Sequence, residues 1–127
     1  MRLALDVLPG RLSIARLPAD EPIPGWAADA TPASITRTAD ELSVVCSEEL
    51  VPDGVLRQDG YRALAVRGPL DFALTGIVSG LTAPLSGAGV PVFVVSTFDT
   101  DLVLVPEAEL DRAAAALRGV GHLVAGR

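Results

Sequence analysis

The stretch Gly89–Leu110, GVPVFVVSTFDTDLVLVPEAEL, constrains the fold more than any other part of the chain. Two runs, Pro91–Ser96 and Leu102–Val105, are nearly continuous in β-branched and apolar residues. That composition reads as a pair of strands in the middle of a sheet. Between them lies a polar turn, Thr97–Asp101, with Ser96 at its entrance. Hydroxyls and carboxylates at the end of a buried hairpin are costly unless hydrogen-bonded. Their partners are supplied either by the turn itself or by a ligand, and both readings stand at this level.

Helical patterns flank this hairpin. Leu74, Ile77, Val78, Leu81 and Leu85 follow the spacing of one buried helical face, and Gly87 and Gly89 end the run. Beyond the hairpin, Pro106 fits the first position of a second helix, with Glu107 and Glu109 at its positive dipole end. Leu110, Ala113, Ala114 and Leu117 form its apolar face, and Gly119-Val120-Gly121 closes it. Tyr61–Arg67 reads as a strand before this block and His122–Ala125 as a short strand after it. The order over the second half is therefore β-α-β-β-α-β.

The first half repeats the order more weakly. Arg11–Leu17 alternates apolar and polar residues, the period of a half-buried strand. The next stretch carries Pro18, Pro22, Pro24 and Pro32, so it holds at most a helical turn near Ile23–Ala28. Ser34–Thr38 and Glu41–Cys46 read as a hairpin, and Ser47–Leu56 as a turn or loop. The two hairpin segments, SITRTADELSVVCSEEL and VFVVSTFDTDLVLVPEAEL, match in layout at a period of about 60 residues. The expected fold class is α+β. It consists of two tandem ferredoxin-like (βαββαβ) modules, residues 1–60 and 61–127, each an antiparallel sheet with helices on one face, the first module reduced. A single module of this size buries little surface, which two modules or a homodimer would remedy.

Composition excludes several classes of function. The net charge is −6, from 10 basic and 16 acidic residues, and every basic residue is arginine. An acidic chain without a basic stripe, with three Phe, one Tyr and one Trp, argues against nucleic-acid binding. No apolar run reaches the roughly 18 residues of a membrane span, so no membrane partner is expected. Nor does the N-terminal segment read as a signal peptide, because Asp6 and Arg11 interrupt it. With a single cysteine, Cys46, and no disulfide framework, the expected location is cytoplasmic. There is no phosphate loop, GxSxG elbow, HExxH or CxxC, so neither an enzyme, a cofactor nor a metal site is expected.

The segment GPLDFALTGIVSGLTAPLSGAGVPVFVVSTFDTDLVLVPEAEL resembles a tandem ACT-domain protein. The similarity is to small bacterial ACT proteins and to the ACT modules of aspartokinases and of the CASTOR arginine sensors. It extends from Gly10 to about His122 and is densest from Arg67 to Leu110, with SITRTADELSVVC matching the first module. The resemblance implies reversible binding of a free amino acid at a module or subunit interface, with a regulatory or sensing role, in a homodimer that acts on another, regulated protein. Carried over residue by residue, it implies backbone contacts at Gly76 and Ile77, strand-turn contacts at Thr97 and Phe98, and Asp101 as the acidic partner of a basic ligand group. Where the arginine sensors carry an acidic residue in the strand-to-helix loop, this chain has Leu74.

Each feature also has an ordinary explanation. Asp101 fits a solvated edge residue, Asp99 a turn that bonds its own backbone, and Gly76 tight packing of a helix on a sheet. Ser34, Thr36 and Ser43 fit the polar face of an exposed strand. Trp26 fits a core plug, His122 a solvated or edge residue, and Cys46 a buried, inert thiol. The alternative function is a non-catalytic interaction module that pairs with itself or a partner and binds no metabolite.

Overall fold

The computed structural model describes residues 1–127, which form two compact units, Gly10–Tyr61 and Met1–Pro9 with Arg62–Arg127. In chain order the elements are β1 (Ala4–Val7), β2 (Leu12–Leu17), α1 (Gly25–Ala28), β3 (Ser34–Arg37), β4 (Leu42–Ser47) and β5 (Leu56–Val66). They continue with α2 (Ile77–Gly87), β6 (Phe93–Ser96), β7 (Asp101–Pro106), α3 (Leu110–Gly119) and β8 (Leu123–Ala125). Short 3₁₀ turns, Glu48–Leu50 and Glu107–Glu109, follow β4 and β7. The fold is a mixed α+β arrangement of open sheets with few helices. No helix is long and apolar enough to cross a membrane.

In the unit Gly10–Tyr61 the strand order is β3-β4-β2-β5, with every neighbour antiparallel. The prolines hold the segment between β2 and β3 to the four residues of α1. Thr38 shapes the β3–β4 turn, its hydroxyl accepting the Asp40 and Glu41 N–H groups at 3.1 and 3.2 Å. The core gathers Ala15, Ala27, Leu42, Val44, Cys46 and Val51, with Trp26 packed against it. Burial holds the Cys46 thiol above its ordinary pKa, which keeps it protonated and unreactive.

In the other unit β6 pairs with β7, β7 with β5, and β1 lies between β5 and β8, antiparallel to the first and parallel to the second. Residues 1–9 thus belong with the C-terminal half of the chain, because β1 fills a sheet position there. The hairpin forms as its composition dictates, but β6 is an edge strand with partly exposed side chains, and only β7 is central. The core packs Leu5 and Leu64 of the sheet against Leu81 and Leu85 of α2 and Leu117 of α3. Each is fully buried, worth about 1.5–3 kcal/mol apiece in transfer from water.

The helix α2 begins later than its apolar spacing implies. Asp71 accepts the Ala73 N–H at 2.8 Å, and its carbonyl accepts the Leu74 N–H at 3.0 Å. This turn takes Leu74 out of the helix and leaves it 46% exposed. Likewise Pro106 ends β7 and precedes a 3₁₀ turn, with α3 starting four residues later at Leu110.

Asp6 on β1 and Arg67 after β5 form a two-pronged ion pair, with Nε–Oδ2 at 2.8 Å and a terminal guanidinium nitrogen–Oδ1 at 2.7 Å. The hydrogen bonds from Arg67 hold the Asp6 carboxyl below its ordinary pKa, and the pair raises that of Arg67. A carboxyl depressed in the folded state contributes stability above its unfolded pKa of about 4, and loses it as the pH falls through the folded value. Asp6→Asn is therefore expected to give a shallower fall in the urea midpoint below about pH 4 than the native sequence. Parallel curves would show that the pair contributes nothing to acid sensitivity.

Candidate functional site

The loop after β5, the first turn of α2 and the β6–β7 turn enclose an open groove of about 570 Å³. All five residues singled out from the sequence, Gly76, Ile77, Thr97, Phe98 and Asp101, line it. So do Asp71, Phe72 and Asp99.

One wall is the β6–β7 turn, and its geometry follows from its hydroxyls. The Thr97 N–H donates to the Thr100 carbonyl at 2.8 Å. The Thr97 hydroxyl donates to the same carbonyl at 3.0 Å and accepts the Thr100 N–H at 3.1 Å. The Thr100 hydroxyl donates to the Val66 carbonyl at 2.7 Å, which fastens the turn to the end of β5. From the facing loop, the Leu70 N–H donates to the Asp99 carbonyl at 2.7 Å. Gly68 makes that approach possible: a Cβ there would sit 2.9 Å from the Asp99 carbonyl oxygen.

Asp101 pairs in register with Ser96, whose hydroxyl donates to Oδ1 at 2.5 Å. The residue is buried, at 8% exposure, yet lines the groove. An acceptor-only carboxylate with about four lone-pair sites keeps capacity for further donors after one such bond.

The opposite wall is the N-terminus of α2. Gly76 is not inside the helix but immediately before it, at φ +78°, a backbone conformation that favours glycine. Its carbonyl accepts the Gly80 N–H at 2.9 Å, closing the first turn. The N–H groups of Ile77, Val78 and Ser79 precede that bond and have no helical acceptor. No side chain caps them, and the Ser79 hydroxyl donates to the Gly76 carbonyl at 3.2 Å instead. This wall therefore presents backbone donors and the positive end of a helix dipole.

The groove is thus electrically two-ended. Donors lie at α2, and the carboxylates of Asp71, Asp99 and Asp101 lie along the loop and the β6–β7 turn. No arginine or histidine lines it. Phe98, 80% exposed, meets Phe72, 74% exposed, with ring centroids 4.8 Å apart and planes at 60°. Phe72 was not legible as a site residue, since only its packing on Phe98 brings it there. No group of three or more His, Cys, Asp or Glu gathers as a metal-ion site.

His122 is not a solvated edge residue: it is 4% exposed and hydrogen-bonded through both ring nitrogens. Trp26 packs against the core of the Gly10–Tyr61 unit, outside the groove.

A family model described as an ACT domain matches residues 56–119, half of the chain. The chain belongs to the ACT-domain family. A second model, for an N-terminal domain, matches residues 10–54 of this ACT-domain protein. A structural-genomics crystal structure from Agobacterium tumefaciens is 43% identical, with a TM-score of 0.93 over 98% of this chain and 93% of that one. A Vibrio cholerae protein of unknown function, described as a possible transport protein, superposes with a TM-score of 0.75 at 14% identity, over 93% of this chain and 89% of that one. The regulatory subunit of aspartate kinase from Thermus flavus superposes with a TM-score of 0.61 at 11% identity, over 94% and 97%. At such identities the last two show a shared fold alone. No curated protein matches the sequence. ACT domains are regulatory modules, and small-molecule binding in a regulatory role is the function that membership of the family indicates.

Proposed function

We propose that this ACT-domain protein reversibly binds a free amino acid in the groove and uses its occupancy as a regulatory signal. The observation that carries this reading is the opposition of an uncapped helix N-terminus to a buried carboxylate in one groove. An α-carboxylate would meet the N–H groups of Ile77 and its neighbours, while an ammonium or basic side chain would meet Asp101 and Thr97. Gly76 would allow the close backbone approach, and Phe98 with Phe72 would cover the apolar part of the ligand. The reading includes action on a regulated partner protein and a homodimeric state, in keeping with the habit of ACT domains to dimerise. It also includes two tandem ferredoxin-like modules. In support, the strand order β3-β4-β2-β5 accommodates a βαββαβ path in which the 3₁₀ turn Glu48–Leu50 stands for the second helix.

A thermal-shift screen with each of the twenty amino acids at millimolar concentration tests the reading. Ligand at about 100 times its dissociation constant adds roughly 2.7 kcal/mol, several degrees for a domain of this size. With the responding amino acid, Asp101→Ala is expected to weaken binding about 10- to 100-fold by calorimetry, the worth of a charge-assisted hydrogen bond. Gly76→Val is expected to abolish binding. Normal binding by both variants would place the ligand elsewhere.

A second reading is a non-catalytic interaction module without a metabolite. It is favoured by the turn chemistry, since Ser96 already bonds Asp101 and Thr97 already bonds Thr100. Its sign would be an oligomeric state, read by light scattering, that ignores every amino acid.

A further inference from the structure

Pro84 lies inside α2 and has no N–H. In an α-helix the N–H of residue 84 would donate to the carbonyl of residue 80, so Gly80 is left with an acceptor that the helix cannot serve. The His122 ring fills that place, with Nε2 at 3.0 Å from the Gly80 carbonyl oxygen. Its other nitrogen, Nδ1, lies 3.0 Å from the Leu3 backbone nitrogen, whose N–H it accepts. A ring nitrogen that accepts is unprotonated, so the proton of the neutral ring is on Nε2, which donates to Gly80. The His122 N–H in turn donates to the Leu117 carbonyl at the end of α3, at 3.1 Å. One buried side chain thus ties α2 to the residue preceding β1, and its backbone is held by α3.

Gly80 is also the residue whose N–H closes the first turn of α2 on Gly76. We propose that His122 is a positioning residue for the groove: it supplies the hydrogen bond that Pro84 cannot make, and so holds the first turn of α2 where a ligand's anionic group meets it. The role in binding rests on the ligand reading above, whereas the bond to Gly80 does not. Proline at residue 84 leaves the Gly80 carbonyl dependent on a side chain from the far end of the chain, rather than on the helix's own ladder.

The test compares the full-length protein with His122→Phe, His122→Gln and the double variant His122→Phe/Pro84→Ala. Amide hydrogen exchange along α2 is read without any ligand. His122→Phe, which keeps an aromatic ring of somewhat larger volume and removes both hydrogen bonds, is expected to speed exchange of the hydrogen-bonded amides from Gly80 to Ala83 about tenfold. Adding Pro84→Ala returns an N–H to residue 84 and is expected to restore most of that protection, while the Leu3 amide stays fast. His122→Gln, which retains a donor and an acceptor, keeps both sites protected. Should His122→Phe fail to fold, the Gln variant and the ¹⁵N spectrum of the native imidazole decide, the latter by showing the proton on Nε2. Unchanged exchange, a proton on Nδ1, or no rescue by Pro84→Ala overturns the bond.

The binding arm uses a mixture of the twenty amino acids at millimolar concentration. His122→Phe is expected to reduce the thermal shift that the mixture produces, and the double variant to recover it. A full shift in His122→Phe overturns the positioning role. No shift in the native protein overturns the ligand reading and with it that role, while exchange still judges the Gly80 bond by itself.

Discussion

Replacing Leu81 by alanine is expected to destabilise the unit formed by Met1–Pro9 and Arg62–Arg127 by about 3 kcal/mol, lowering its melting temperature by roughly 15 °C. Leu81 is fully buried and belongs to the core shared by α2, α3 and the sheet. Truncation forfeits the transfer energy of the missing carbons and leaves a cavity that two helices on a sheet close only partly. Urea denaturation followed by circular dichroism measures it. A loss below about 1 kcal/mol would mean that α2 collapses readily onto the sheet, and that its N-terminal turn is less firmly seated than the packing indicates.

Gly68→Ala is expected to have an effect of similar size by a different route. The added Cβ would stand 2.9 Å from the Asp99 carbonyl oxygen and 3.2 Å from both the Leu70 nitrogen and the Thr100 Cβ. Two of these neighbours are backbone atoms already joined by a 2.7 Å hydrogen bond, so neither withdraws cheaply. The β6–β7 turn must shift, loosening the Leu70–Asp99 and Thr100–Val66 bonds that hold it. We expect a loss of about 2–3 kcal/mol and, because the turn forms one wall of the groove, about a tenfold weaker response to the amino acid that binds. Full stability with full binding would show that the turn adapts and that its position is not critical.

Local chemistry explains which parts of this molecule were legible. The spacing of Ile77, Leu81 and Leu85 sets the buried face of α2, and the polar run Thr97–Asp101 between apolar stretches sets the turn. Both signals lie within a dozen residues and place the elements; the choice of Gly76, Ile77, Thr97, Phe98 and Asp101, which meet at one groove, comes instead from the resemblance to ACT-domain proteins. The start of α2 was misplaced because Leu74 continues the apolar spacing, while the turn at Asp71 takes it out of the helix. Gly76 falls inside the helix that the apolar spacing from Leu74 predicts; its positive φ places it before the helix instead. The short strand ALDV has no pattern of its own, since its identity depends on partners in β5 and β8. His122, a lone histidine near the last strand, looked exposed for the same reason. A signal for it did exist: a proline four residues after Gly80 announces an unserved carbonyl, although not which side chain answers it.

The placement of β1 bears on how the protein is made. Leu3 and His122, joined by a hydrogen bond, are 119 residues apart in the chain, and β1 is flanked by β8 on one side. During synthesis Gly10–Tyr61 emerges with all its own strands and can close its sheet at once. Ala4–Val7, translated earlier, can pair with β5 once Val66 has emerged, but lacks its second neighbour until Leu123–Ala125 appears. Joining such distant segments costs only slowly more as the intervening chain lengthens, but their meeting awaits the late arrival of β8. An early strand is therefore among the last to find its full set of neighbours, and until then it is a sheet edge, open on the side that β8 will cover.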